Sequence, residues 1–274
     1  MKFLILGSSG MIGSALCQYL QDIGHEIITF DLIDSEHQDL RTPHNKTLTE
    51  CVENCDFVFF LAWDVGGAKY LSRQQNQFSF MHNNIAIMYN VFDILSKINK
   101  PFLFTSSQMS DVPNSTYGLT KRLGEQLSKS LNSIVVKLWN VYGLEPVSDR
   151  SHVITDFIHQ ALKTNCIMML TDGHEQRQFL YARDCAECLY ILSQSYNDLP
   201  RDIEYHVTSF EWASISKIAD SISDIIPGIT IISGHCKDKI QSGNKIEPNN
   251  KILEYWKPST DLKSGIKKLI ESYK

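Results

Sequence analysis

The stretch KFLILGSSGMIGSALCQYLQDIG, residues 2 to 24, constrains the fold more than any other part of the chain. A short apolar run of β type stops at a glycine, and a helix-periodic segment follows at once. Ile12, Leu16 and Leu20 recur at helical spacing, and Gly24 suits the C-terminal stop. Gly7, Gly10 and Gly13 stand between the two elements. The first glycine permits a tight turn, the second lets backbone approach a pyrophosphate, and the third allows close packing of helix on strand. The helix start, Met11 and Ile12 included, adds free N–H groups and a positive dipole end for phosphates. The spacing is G-x-x-G-x-x-G rather than the commoner G-x-G-x-x-G. Its place between strand and helix favours a dinucleotide loop over a glycine turn without a ligand.

The rest of the first half keeps this alternation. HEIITFD, CDFVFFLA, PFLFTS and SIVVKLWN read as strands, the second fully buried by its lack of alternation. Between them lie helical stretches from about Gln77 to Ser96 and over TYGLTKRLGEQLSKSL. Phe78, Met81, Ile85, Met88, Phe92 and Leu95 form one stripe on the longer helix, a core-facing face by this reading. The pattern predicts an α/β fold, a doubly wound parallel sheet of Rossmann type. After Pro146 the strands shorten to CIMML, RQFLYA, IEYHVT and GITII. Residues 1–146 are therefore read as the dinucleotide-binding domain, and 147–274 as a smaller, interleaved substrate-binding lobe. Gly234 to Asn250 is polar and reads as a loop.

Bulk properties remove several function classes. The 274 residues carry a net charge of −5 with no basic block, which argues against nucleic-acid binding through phosphates. No apolar run approaches the ~20 residues of a membrane span, and the N-terminus lacks a signal-peptide pattern. Seven scattered cysteines suit a reduced, cytoplasmic chain. Cys185 and Cys188, like Cys51 and Cys55, have no second set of ligands at metal spacing and read as helix-packing residues. No metal is expected.

Asp31 ends the second strand, about twenty residues past the glycine loop. A carboxylate there accepts hydrogen bonds from the adenosine ribose hydroxyls and repels a 2′-phosphate, favouring NAD over NADP. Asp34 lies nearby, and Asp39 with Leu40 could meet the adenine.

The chemistry falls on TSS (residues 105–107) and TYGLTK (116–121). Strand ends form the ligand crevice of a parallel sheet, so Ser107 and Tyr117 can converge. A phenol's ordinary pKa near 10 is too high for a base at neutral pH. Lys121, one helical turn from Tyr117, would supply a cation to lower it. Ser107 would hydrogen-bond the reacting oxygen, and Lys121 would also hold the nicotinamide ribose.

These residues resemble the extended short-chain dehydrogenase/reductases that act on nucleotide sugars, the epimerase/dehydratase group. The likeness extends over FFLAW, NNIAIMYNVFDIL, NVYG and DGHEQRQFLYARDCAE. It implies that Leu61 and Ala62 line the cofactor and that Asn84, Asn140 and Arg177 contact a nucleotide-diphosphate sugar. A homodimer is a further implication. Departures accompany it. Lys137 stands where arginine is usual, Gln178 where aspartate is common, and Trp63 where a small residue or histidine is usual. The interval from Ser107 to Tyr117 is short, and DVGG (64–67) is similar to GDP-fucose synthase. Gln108 and Met109 occupy the positions of the dehydratases' Asp-Glu pair, which speaks against dehydration. Three functions stay open. One is an NAD-dependent epimerase working through a keto sugar at C4. The second is an NAD(P)H-dependent keto-sugar reductase or sugar dehydrogenase. The third is a non-catalytic NAD-binding regulator.

Overall fold

The computed structural model describes residues 1–236 and 246–274. β1 (Lys2–Leu6) passes through the glycine turn into α1 (Met11–Asp22). There follow β2 (Glu26–Phe30), α2 (Lys46–Glu53), β3 (Phe57–Phe60), α3 (Ala68–Gln74), α4 (Phe78–Ile98), β4 (Phe102–Ser107), α5 (Thr116–Ser130) and β5 (Ile134–Leu138). The second half supplies β6 (Asn140–Tyr142), α6 (Val153–Thr164), β7 (Cys166–Met168), β8 (Gln176–Tyr181), α7 (Ala182–Gln194) and β9 (Glu204–Val207). It ends with β10 (Trp212–Ser214), α8 (Ile215–Ile225), β11 (Thr230–Ile232) and α9 (Leu262–Ser272).

The main sheet runs β2-β1-β3-β4-β5-β9, with every neighbouring pair parallel. A strand in such a sheet is covered on both faces, which is why β1 and β3 are unbroken apolar runs. Alternate side chains of β1 serve opposite layers. Phe3 and Ile5 pack with Leu16, Leu20 and Leu189 under α1 and α7. Leu4 and Leu6 pack with Met88, Val91 and Leu95 under α4. α1 ends as expected, with Gly24 at φ +81 and its N–H on the carbonyl of Gln21. Strand order reverses between β1 and β3, and the glycine turn sits at that switch point, where a ligand crevice opens.

Three observations refine the sequence reading. IEYHVT, expected in the smaller lobe, becomes β9 and completes the main sheet beside β5. The stripe on α4 is core only in part. Met88, Phe92 and Leu95 are buried, whereas Phe78 is 78% and Ile85 47% exposed. The inward face runs instead through Phe80, Asn84, Met88, Val91 and Leu95, so Phe78 and Ile85 fall on the outer side with Tyr89. Of the loop expected over 234–250, residues 237–245 lie outside the described residues. Cys185 and Cys188 are fully buried on α7, and burial pushes the Cys185 thiol up to about 12. They are core residues of the α1–α7 contact.

Candidate active site

A cleft of about 1210 Å³ opens at the carboxyl ends of the main strands. The glycine loop forms one end. Gly7 has φ +90, and a Cβ on it would lie 2.8 Å from the Cα of Ala62. A Cβ on Gly13 would lie 2.0 Å from the carbonyl oxygen of Gly7. Both positions therefore require glycine for packing. Gly10 differs: its Cβ would meet nothing closer than the Gly7 oxygen at 3.4 Å, and the residue borders the cleft. Gly10 is also the N-cap of α1, with no side-chain cap and no acidic residue in the first turn. Met11, Ile12 and Gly13 thus present an uncapped helix start to the cleft. That is the donor set a dinucleotide diphosphate requires.

Asp31 lies beyond the loop at the end of β2, lining the cleft. Its carboxylate accepts the N–H groups of Ser9 and Ile33, each at 3.1 Å. Asp34 instead takes the Ser9 hydroxyl. Asp39 and Leu40 also line the cleft. Arg41 grips Asp39 with two donors, at 2.9 and 2.8 Å, and holds its carboxyl below the usual range. Arg41 carries no motif signal in the sequence, and only the fold sets it against Asp39. Leu61 and Ala62 follow β3 and pack over the loop, their N–H groups bonded to the carbonyl of Leu6. The residues present fit NAD: an uncapped helix start, two obligatory glycines and a strand-end acid face one cleft.

Ser107, Tyr117 and Lys121 line the same cleft, and Ser107 shares a hydrogen bond with the Tyr117 phenol. β4 ends at Ser107, a short 3-10 turn over Gln108–Asp111 follows, and α5 begins at Thr116. The turn packs tightly under α5: a Cβ on Gly118 would lie 1.9 Å from the carbonyl oxygen of Met109. That close approach is how so short an interval brings Ser107 to Tyr117. Gln75 steadies the helix start, accepting from the Ser115 hydroxyl and the Tyr117 N–H. Burial pushes the Tyr117 phenol up to about 12, while a hydrogen bond with Ser107 pulls the other way. Burial also holds Lys121 well below its ordinary value, and the Glu125 carboxylate opposes it. The lysine amine donates to the carbonyl of Thr105 at 2.7 Å. From the spacing, Lys121 is expected to lower the phenol's pKa; in the structure burial raises it, and the Ser107 hydrogen bond is what opposes that rise.

The substrate side is more mixed. Asn140 and Arg177 line the cleft, on β6 and β8. Asn84 does not: it is fully buried, and its amide is spent on the backbone N–H and carbonyl of Asp64. Asn84 thereby places Asp64, which lines the cleft and accepts from Tyr70, Asn83 and Arg150 at 2.7, 2.9 and 2.9 Å. The signal for Asp64 was the DVGG segment. Its glycines let the chain lie against residues 150–152; a Cβ on Gly67 would sit 2.2 Å from the oxygen of Ser151. The Gly67 N–H bonds the Arg150 carbonyl at 2.8 Å, and Lys69 pairs with Asp156 at 2.6 Å. Gln178 is buried, accepting from the Thr208 hydroxyl.

This chain is similar in sequence and in fold to known proteins. GDP-mannose 3,5-epimerase 1 of Oryza sativa subsp. indica is 26% identical over 319 aligned positions, covering 97% of this chain and 80% of that one. Two solved structures share the fold. One is the Bordetella bronchiseptica enzyme WbmF in complex with NAD+ and UDP, with TM-score 0.81, 19% identity, and 98% and 91% of the two chains covered. The other is a GDP-6-OMe-4-keto-L-xylo-heptose reductase from C. jejuni, with TM-score 0.81, 20% identity, and 99% and 97% covered. Residues 3–207 match the profile of the NAD dependent epimerase/dehydratase family. With the glycine loop, the strand-end acid and the Ser–Tyr–Lys set in one cleft, this chain belongs to that family and is an enzyme whose cofactor is NAD.

Proposed function

We propose that the protein is a nucleotide-sugar epimerase that oxidises a sugar hydroxyl at C4, lets the keto sugar turn, and reduces it on the other face. The observation that supports this reading is that Ser107, Tyr117 and Lys121 line one cleft together with the glycine loop, Asn140 and Arg177. NAD, when bound, accepts hydride from the sugar carbon and returns it. Tyr117 takes the hydroxyl proton during oxidation and gives it back during reduction. Ser107 shares a hydrogen bond with the phenol and holds the reacting oxygen. Arg177 offers a bidentate fork to the diphosphate, and Asn140 orients it. Asp31 and Asp39 with Leu40 hold the adenosine end. Dehydration is disfavoured, because Gln108 and Met109 supply neither acid nor base at the relevant positions.

A second reading is a keto-sugar reductase that consumes NADH. It is favoured by the short Ser107–Tyr117 interval, by DVGG, and by the likeness in fold to a GDP-6-OMe-4-keto-L-xylo-heptose reductase. One experiment separates the two. The purified protein is denatured and released dinucleotide is identified by mass and absorbance. One equivalent of retained NAD or NADH supports the epimerase, which regenerates its cofactor. An empty protein that oxidises NADH only with a nucleotide-linked keto sugar supports the reductase. A panel of UDP- and GDP-sugars, followed by proton NMR, then identifies the substrate.

The same reading extends to assembly and compartment. Phe78, Ile85 and Tyr89 of α4 and Leu119 and Leu123 of α5 are exposed apolar residues on two neighbouring helices. A second copy covering them makes a homodimer. All seven cysteines are unpaired, which fits the cytoplasm. Among the described residues no helix is long and apolar enough to cross a membrane.

A further inference from the structure

Trp63 is one of the departures from the family pattern, and the structure places it against the catalytic lysine. The Lys121 amine lies 3.9 Å from the centre of the Trp63 ring and 5.1 Å from that of Phe104. The two rings meet edge to face at 5.7 Å, forming a corner around the amine. The amine also donates to the Thr105 carbonyl at 2.7 Å. Lys121 is only 3% exposed, so these contacts replace nearly all of its water. The Glu125 carboxylate, which acts on it, lies one helical turn further along α5. Trp63 itself lines the cleft. Among the described residues its buried indole N–H meets no acceptor, which is unfavourable. A residue serving only to fill space would do better as phenylalanine. Tryptophan has the most electron-rich face of the aromatic residues, and a cation over it gains most when desolvated.

We propose that Trp63 is a positioning residue for Lys121: its indole face seats the ammonium and presents it to the cofactor side of the cleft. The proposal rests on the role assigned to Lys121 in holding the nicotinamide ribose. It does not depend on which sugar is turned over.

The test is a double-mutant cycle read by NAD binding, measured by calorimetry on the full chain without any sugar. Trp63→Leu and Lys121→Met are each expected to weaken NAD about tenfold. The double variant is expected to be no weaker than Lys121→Met within about twofold, because Trp63 acts through the lysine. Trp63→Phe keeps a ring and is expected to stay within about threefold of wild type. If Trp63→Leu is poorly folded by circular dichroism, Trp63→Met takes its place in the cycle. NAD binding unchanged by loss of the ring, or losses that multiply in the double variant, overturns the proposal. Failure of the wild type to bind NAD overturns the role of Lys121 on which it rests.

Discussion

Replacing Lys137 with methionine is expected to destabilise the protein by about 3 kcal/mol. The side chain is 4% exposed and its ammonium meets three carboxylates. Asp111 Oδ1 and Glu204 Oε2 lie at 2.7 Å, and Glu125 Oε1 at 3.7 Å. Burial works against the charged form, but these partners outweigh it and hold Lys137 above its ordinary pKa. Breaking a buried ion pair by removing one partner costs about 3–5 kcal/mol. The low end applies here. Asp111 is 34% exposed and regains water, so its share is discounted. Glu204 keeps Lys129, and Glu125 keeps the Ser106 hydroxyl. For a chain of 274 residues, an unfolding entropy of about 2.1 cal/mol/K per residue turns 3 kcal/mol into a fall of roughly 5 °C in Tm. The penalty depends on pH. Lys137 is raised, so its contribution is present at neutral pH and is lost as pH rises beyond the ordinary lysine value. Glu204 is lowered, with burial opposed by Lys129 and Lys137, so its contribution is lost as pH falls below the ordinary carboxylate range. The difference between wild type and Lys137→Met should therefore be widest from about pH 5 to pH 10. Urea denaturation of both proteins and of Lys137→Arg, which keeps the charge, measures this. A methionine variant within about 0.5 kcal/mol of wild type, or a penalty that grows on acidification, would refute the reasoning.

Three further outcomes are expected. Tyr117→Phe keeps the fold and NAD binding but lowers turnover about 10²- to 10⁴-fold, read by NMR on the identified sugar; unchanged turnover would remove Tyr117 from the chemistry. Gly13→Ala forces a methyl to within 2.0 Å of the Gly7 carbonyl, so the loop must open, and NAD affinity should fall at least tenfold in calorimetry. If the proposed homodimer forms through α4 and α5, Leu119→Glu, at a site 65% exposed, should give a monomer in sedimentation while leaving Tm within about 2 °C; a monomeric wild type would count against the proposed dimer.

Sequence and structure agree where local chemistry dictates geometry. β1, the glycine turn and α1 were legible because apolar runs, glycines and helical spacing act over a few residues. Ser107, Tyr117 and Lys121 were legible because a strand end and one helical turn fix where they point. What was not legible depends on distant partners. IEYHVT reads as a short strand anywhere, and only the open edge of β5 makes it the sixth strand of the main sheet. Asn84 looks like a site residue in the sequence, yet the neighbouring Asp64 backbone claims both ends of its amide. Phe78 looks like core by spacing, but it falls on the outer side of α4 with Ile85 and Tyr89. The spacing of Tyr117 and Lys121 puts a cation one turn away but carries no sign of the burial that raises the phenol.

The position of β9 has a consequence for how the chain is made. During synthesis β1 to β5 emerge first, with β5 as an unpaired edge and the α1 face of the sheet uncovered. The strand that pairs β5 and the helix that covers α1 both come later, after β6, α6 and β8. The nascent first half must therefore wait, exposing a sticky edge to other nascent chains. Rare codons or pauses before residue 204 would lengthen that wait, and a ribosome stalled there would carry a chain ready to aggregate.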